Sequence, residues 1–155
     1  MTKKSAGILA YRFTGGVAEF LLGHPGGPYH RTKDFGAWSI PKGEFTDEQP
    51  LAAAIREFEE ETGVKPHGDF IELTPVKQAG GKDVYAFAVE FDFDPDNLVS
   101  NTFQIEWPPR SGLQQTFPEI DKVEWFPADQ ARLKINPKQA SFINELSLKL
   151  ASKNN

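Results

Sequence analysis

The 155-residue sequence contains no cysteine. Without thiols the chain has no disulfide bonds, no thiolate-ligated zinc or iron–sulfur centre and no cysteine nucleophile. Histidine is also scarce, and His24, His30 and His67 match neither a metal-binding spacing nor a triad motif. No Gly-x-Ser-x-Gly segment is present, so a serine-hydrolase interpretation has no support.

A long hydrophobic run is also missing. No window approaches the roughly 20 apolar residues that span a bilayer. The short apolar run at residues 6–10 is followed at once by Tyr11 and Arg12, so no signal-peptide core forms. We therefore expect a cytoplasmic protein that does not bind membranes.

Basic residues are fewer than acidic ones. Seventeen lysines and arginines against 22 aspartates and glutamates give a formal net charge of -5. A negative chain without a basic stripe does not favour the sequence-independent phosphate attraction that long nucleic acids rely on. We expect no long nucleic acid partner, and we expect any small phosphate compound to be handled with the help of a metal ion.

The composition is that of a globular domain. Hydrophobic residues make up 39% of the chain, with 13 phenylalanines, and a chain of this length is typical of one domain with one real core. We expect residues 1–155 to form a single domain, with residues 151–155 as a frayed tail.

Hydrophobic patterning predicts a mixed α/β chain. A hairpin is expected from the apolar runs at residues 6–13 and 17–22, followed by a basic loop at residues 23–35. Further strands are predicted at residues 37–40, 70–78, 83–93, 102–107 and 122–126, and helices at 50–62, 127–135 and 138–150. The strand at 83–93 is apolar on both faces, which is typical of an interior strand. The remainder of residues 94–121 is loop-rich, and a stretch of that length usually is functional or contains another strand.

The ends of the first helix carry recognisable signals. Gly63 lies where a left-handed C-terminal cap is expected. At the other end, Pro50 suits the first helical position, whereas Thr46 with Gln49 three residues on offers a competing capping box. The sequence leaves both starts open.

Three glutamates share one face of this helix. At about 100° per residue, Glu57, Glu60 and Glu61 lie together beside the apolar stripe, whereas Glu59 lies outside that arc and is expected to be solvated. Like charges at this spacing repel, and anions near a helix C-terminus oppose the helix dipole. A hard divalent cation such as Mg²⁺ or Mn²⁺ would reverse the sign of both effects. The alternative is an ordinary solvated face with an Arg56–Glu60 ion pair.

The same segment resembles the Nudix box. Gly43, Glu48 and the uninterrupted run Arg56-Glu57-Phe58-Glu59-Glu60-Glu61-Thr62-Gly63-Val64 match the family pattern across residues 43–64. One departure exists, because four residues rather than five separate Gly43 from Glu48, and the missing residue falls in the loop before the helix. Residues 38–43, Trp-Ser-Ile-Pro-Lys-Gly, look like the usual lead-in to the box.

This resemblance implies an α/β/α sandwich with a mixed β-sheet. It also implies a metal-dependent pyrophosphohydrolase that cleaves a nucleoside diphosphate derivative, NDP-X, to NMP plus X-phosphate, with Mg²⁺ or Mn²⁺ as cofactor. By position, the implied metal ligands are Glu57, Glu60, Glu61 and Gly43. Arg56 would orient the cluster through an ion pair with Glu48. A homodimer is a further implication, since many family members dimerise.

Further site residues are predicted outside the box. A later carboxylate acts as base or extra ligand in many members, and Glu119 is the first candidate and Glu106 the second. Trp107 and Phe103 are candidates for stacking on a base, although aromatic residues near prolines are more often small core pieces. Phosphate-neutralising candidates are Lys42, Arg110 and Arg31, each equally consistent with a solvated surface cation. An alternative function is a Nudix-like domain that senses a nucleotide without cleaving it, and the sequence does not identify the substrate.

Overall fold

A computed structural model describes residues 3–153, apart from the side chains of Ala79 and Lys153. The helices are α1 (Pro50–Thr62), α2 (Ala128–Lys134) and α3 (Ala140–Lys153). The strands are β1 (Lys4–Thr14), β2 (Val17–Pro25), β3 (Lys42–Phe45), β4 (Ile71–Gln78), β5 (Lys82–Glu90), β6 (Thr102–Glu106), β7 (Gln114–Pro118) and β8 (Ile120–Pro127).

A six-stranded mixed sheet is the centre of the fold. Its strands follow the order β4-β5-β1-β2-β8, and β3 pairs with the first residues of β1. The β1–β5 pair is parallel and the others are antiparallel, and β6 and β7 form a separate two-stranded sheet. The predicted hairpin is confirmed, and so is the interior position of the strand predicted at residues 83–93, although that strand, β5, ends at Glu90.

Helices cover both faces of the sheet. Alternate residues of β1 divide between the two sides, because successive side chains of a strand point to opposite faces. Ile8 and Ala10 belong to the core beneath Phe58 of α1. Leu9 and Tyr11 belong to a second core, which is closed by α2 and α3. The fold is therefore the expected α/β/α sandwich.

The strand predicted at residues 37–40 is wrong. Trp38 and Ser39 make only isolated bridges, and the strand begins after the proline, at Lys42. The backbone N–H of Ile40 donates to the Oε1 of Gln139 at 3.1 Å instead of joining a ladder. Pro41 has no N–H to offer, so regular pairing starts only beyond it.

Residues 94–121 contain β7 in addition to β6, the one strand that the sequence specified there. β7 pairs with β6 along its whole length. Most of β7 is exposed, so it lacks the hydrophobic alternation that would have predicted it. At the end of the chain, α3 continues to Lys153, three residues beyond the predicted bound. The last two residues of the expected frayed tail lie outside the described residues.

None of the helices within residues 3–153 is both long and apolar enough to cross a membrane.

Candidate active site

Helix α1 carries the acidic residues of the candidate site, and its two ends differ. It begins at Pro50 with Gln49 as its N-cap residue, and no side chain caps it, so the capping-box prediction is wrong. Gly63 ends it in the left-handed conformation, with φ of 84°, and its N–H donates to the Glu59 carbonyl at 2.8 Å. The N–H of Asn101 donates to the Glu60 carbonyl, also at 2.8 Å. The acidic turn is thereby fixed against the segment that leads into β6.

Glu57 and Gly43 lie against each other. Glu57 is 8% exposed, and a Cβ built on Gly43 would overlap its carboxylate. The short loop between β3 and α1 therefore still brings the first glycine of the box to the helix. Only glycine leaves room for the Glu57 carboxylate over the β3 backbone.

Glu61 is the most strongly perturbed carboxyl group of the cluster. Burial raises its pKa to about 8, and repulsion from Glu57 and Glu119 adds to the effect. A hydrogen bond from the backbone N–H of Lys42 acts in the opposite direction. Burial also raises the pKa of Glu57, in spite of its bond to Arg56. A buried carboxyl group, that of Glu57, and a half-buried one, that of Glu61, thus lie close together without enough positive charge to compensate them.

Arg56 connects the remaining acidic residues. Its Nη2 lies 2.6 Å from an oxygen of Glu48, the partner that the box pattern implied. Its Nη1 donates to Glu57 at 2.8 Å and to both oxygens of Glu60 at 3.2 Å. Since one guanidinium binds three carboxylates, it fixes their positions but cannot neutralise them.

Two lysines lie beside this cluster. Burial lowers the pKa of Lys42, and repulsion from Lys82 lowers it further. Lys82 forms an ion pair with Glu44 at 3.1 Å. The sequence pattern did not indicate Lys82, because Lys82 follows the turn at Gly80. Lys82 comes close to β3 only because β5 and β3 both pair with β1.

Glu119 is close enough to Glu61 to raise its pKa. Its backbone is fixed by two hydrogen bonds, from its own N–H to the Asn101 carbonyl and from the Gly26 N–H to its carbonyl, both at 2.9 Å. The second candidate, Glu106, has a local structural role. Its two carboxylate oxygens accept bonds from the backbone N–H groups of Arg110 and Gly112, each at 3.1 Å.

The turn of the β6–β7 hairpin carries the remaining candidates. Trp107 is half-buried and packs edge-on against Tyr29, with ring centroids 5.2 Å apart. Arg110 is exposed in the left-handed region, with φ of 62°. The ion pairs that arginines make within residues 3–153 belong to Arg12, Arg56 and Arg132. Arg110 therefore makes none, and the structure does not bring it into contact with the acidic cluster.

The donor set fits a divalent cation. Hard cations such as Mg²⁺ take carboxylate and carbonyl oxygens, and the Glu57 and Glu61 carboxyl groups are crowded, buried and short of positive charge. As they stand, no three histidine, aspartate or glutamate side chains in the described part of the chain are grouped closely enough to hold an ion. In this arrangement Arg56 forms ion pairs with Glu57 and Glu60.

A buried histidine was not predicted to be important. His24 is 3% exposed, its Nδ1 lies 2.9 Å from Asp121 and its Nε2 lies 2.6 Å from the Lys33 carbonyl. Ninety-seven residues separate His24 from Asp121, so no local motif could have indicated the pair.

Comparison with known proteins identifies the family. The NUDIX domain profile matches residues 1–146. No protein of curated function matches the chain significantly. Among solved structures, C. elegans Ap4A hydrolase in a binary complex has a TM-score of 0.68 and 26% identity, over 97% of this chain and 99% of that one.

Two further structures share the fold at lower identity. The NUDIX domain of Shewanella oneidensis NrtR, complexed with ADP ribose, has a TM-score of 0.65 and 17% identity, over 97% of this chain and 89% of that chain. A mutT/nudix family protein from Listeria innocua has a TM-score of 0.63 and 16% identity, over 97% and 95% of the two chains. The chain therefore belongs to the Nudix family and is a Nudix pyrophosphohydrolase, a hydrolase of phosphorus-containing anhydrides.

Proposed function

We propose that this protein hydrolyses a nucleoside diphosphate derivative, NDP-X, to NMP and X-phosphate with the help of Mg²⁺ or Mn²⁺, within one Nudix domain. The observation that carries the proposal is the crowding of the Glu57 and Glu61 carboxyl groups against β3. Burial raises the pKa of both groups, so ionising them together costs stability. A divalent cation would remove that cost.

Each residue of the cluster has a proposed role. Glu57, Glu60 and Glu61 would hold the cation, with the carbonyl of Gly43 beside them. When bound, the cation neutralises phosphate charge and lowers the pKa of water. Arg56, bound to Glu48 on one side, would hold Glu57 and Glu60 in place.

Residues beside the cluster would contact the substrate phosphates and the attacking water. Lys42 would contact the diphosphate, because its ammonium group is half-buried beside Glu61 and makes no ion pair within residues 3–153. Glu119 would accept a proton from the attacking water. Backbone hydrogen bonds between Glu119 and residues 26 and 101 fix the position of its Cα atom.

The substrate would be a small compound. The C. elegans enzyme among the similar structures is an Ap4A hydrolase, and the NrtR domain was solved with ADP ribose. Both names point to adenosine polyphosphate derivatives as the first compounds to test. Trp107 and Arg110, on the β6–β7 turn, would contact the base or an outer phosphate.

A panel of substrates tests the proposal directly. ADP-ribose, dinucleoside polyphosphates, nucleotide sugars and oxidised nucleoside triphosphates would be incubated with Mg²⁺, with Mn²⁺ and with a chelator. Labelling with ¹⁸O-water would then show which phosphorus is attacked. We expect metal-dependent release of NMP from at least one compound, and turnover that persists in the chelator would contradict the proposal.

The same panel separates catalysis from nucleotide sensing. A sensing domain would bind one of these compounds in a metal-dependent way and release no product over long incubation. Calorimetry on the same samples measures that binding. Tight binding without product would replace the hydrolase proposal by the sensing one.

A further inference from the structure

A small pocket lies between the loop after β2 and the end of β7, outside the acidic cluster. It has a volume of about 170 Å³ and is bounded on one side by Gly27, Pro28 and Arg31, and on the other by residues 117, 118 and 121. Whole ligands usually occupy pockets of about 300–1,000 Å³, so this one would take a single chemical group of a larger ligand. We call it the Arg31 pocket.

The walls of the Arg31 pocket are built closely. The N–H of Gly26 donates to the Glu119 carbonyl, and a Cβ on Gly26 would overlap the carbonyl oxygen of Pro118. A Cβ on Gly27 would come within 2.8 Å of the Phe103 ring. Two glycines therefore allow the segment after β2 to lie directly on the β6–β7 hairpin and on the start of β8.

The other end of this segment is held by His24. Its Nε2 bonds to the Lys33 carbonyl and its Nδ1 to Asp121, a residue of the opposite wall. Trp38 packs edge-on against the imidazole, with centroids 5.1 Å apart. The buried His24 thus connects the loop that carries Arg31 to Asp121 of the opposite wall.

Arg31 supplies the cationic group of the pocket lining. Asp121, the carboxylate that lines the opposite wall, lies 2.9 Å from the Nδ1 of His24. Arg31, in contrast, is exposed and makes no ion pair within residues 3–153. The pocket therefore presents a guanidinium that is not bonded to any carboxylate of the described residues.

We infer that the Arg31 pocket binds a phosphate group of the X moiety of the substrate, with Arg31 as the contacting residue and His24 and Asp121 as positioning residues. A planar guanidinium matches phosphate by paired hydrogen bonds. Pro118 and Asp121, which line the pocket, lie on either side of Glu119, the proposed base, in the sequence. This inference depends on the proposed function, because it names the part of the substrate that selects among nucleoside diphosphate derivatives.

Kinetics with paired substrates test the inference. Diadenosine tetraphosphate and diadenosine diphosphate differ only in the number of phosphates, so their ratio of kcat/KM measures recognition of the additional phosphates. We expect Arg31→Gln to lower this ratio about tenfold, chiefly through KM for the tetraphosphate, since a charge-assisted bond is lost. Arg31→Lys should restore part of it. Arg132→Gln, an exposed arginine on α2, makes the same charge change and should leave the ratio unaltered.

Variants of His24 test the positioning role. Asn can place its amide near the position of Nδ1 and keep the bond to Asp121, whereas Phe keeps the ring shape and loses both bonds. We expect His24→Phe to raise KM for the tetraphosphate several-fold with little change in kcat for the diphosphate, and His24→Asn to restore much of the KM. Equal effects on both substrates would show that His24 has only a structural role.

The outcomes separate this inference from the proposed function. If the wild-type protein cleaves the substrates and Arg31→Gln leaves the ratio unchanged, the inference is wrong and the hydrolase proposal stands. If it cleaves neither, calorimetry with a methylene-bridged tetraphosphate analogue replaces kinetics, and weaker binding by Arg31→Gln supports the pocket independently of catalysis. Equal binding by both proteins, or none by either, overturns the inference.

Discussion

Strand β1 has an arginine–carboxylate cluster near each of its ends, and the two differ in how well their charges are balanced. At the far end, Arg12 of β1 binds Glu19 at 2.8 Å and Asp92 at 3.1 Å, and its guanidinium lies over the Trp125 ring. The bond from Arg12 lowers the pKa of Glu19. Here the ionised forms stabilise the fold.

At the near end, β3 pairs with the start of β1 and brings the acidic face of α1 into place. Arg56 again binds the carboxylates, but burial outweighs its effect on Glu57, whose pKa is raised. Glu61 lies close to Glu57, and its pKa is raised to about 8. The comparison shows that residue types alone do not identify a site. The direction of the pKa shifts separates a stabilising ion-pair network from a cluster whose carboxylates have too little positive charge around them.

The largest expected difference between the two clusters is in turnover. Glu61→Gln removes one proposed metal ligand without changing the size of the side chain, and we expect it to lower kcat at least a hundredfold, or about 3 kcal/mol in the barrier. Glu59→Gln is the matched control, since Glu59 is exposed on the same helix and should keep turnover within about twofold. Steady-state rates in saturating Mg²⁺ measure both, and similar rates for the two variants would contradict the site.

Gly43→Ala tests how closely β3 approaches the cluster. The added Cβ would overlap the Glu57 carboxylate, so either the side chain or the strand must move. We expect the Mg²⁺ concentration for half-maximal activity to rise about tenfold or more, because a displaced ligand weakens metal binding. Calorimetric titration of the metal checks this effect separately from turnover, and unchanged metal binding would show that Glu57 is not a ligand.

The metal-free stability of Glu61→Gln sharpens the comparison further. Glu61 has a raised pKa in the folded state, so its contribution is most favourable below the unfolded value of about 4.3 and is lost as pH rises towards 8. The amide does not ionise, so we expect this variant to be more stable than wild type by about 1–3 kcal/mol at pH 8. The gain should shrink at pH 5. Urea unfolding in a chelator at both pH values measures it, and a gain independent of pH would exclude ionisation as its cause.

The sequence predicted the helix that carries the site, but not its electrostatics. Periodicity over Leu51, Ala54 and Phe58 is local information, and it also placed the glutamates on one face of α1. The pKa of Glu61 depends in addition on Lys42 and Glu119, which reach it through the packing of other elements. Burial of this kind cannot be read from spacing on one helix.

The errors in the predicted strands have the same origin. The prediction at residues 37–40 failed because Gln139, 99 residues away from Ile40, takes the N–H that a ladder would have used. β7 was missed because its stability comes from its partner strand and not from burial of its own side chains. In both cases tertiary contacts overrode the local pattern.

Glu19→Gln at the balanced end should show the opposite behaviour to Glu61→Gln, on a smaller scale. Glu19 has a lowered pKa in the folded state, so its stabilising effect is present above about pH 4.3 and is lost as pH falls through the folded value. We expect the amide to destabilise the protein by about 0.5–1 kcal/mol at pH 7, because the pair with Arg12 is partly exposed to solvent. Turnover should stay within about twofold of wild type. Urea unfolding at pH 7 and pH 3.5 checks the sign, and a stabilising effect of the amide at pH 7 would show that this cluster, too, carries excess negative charge.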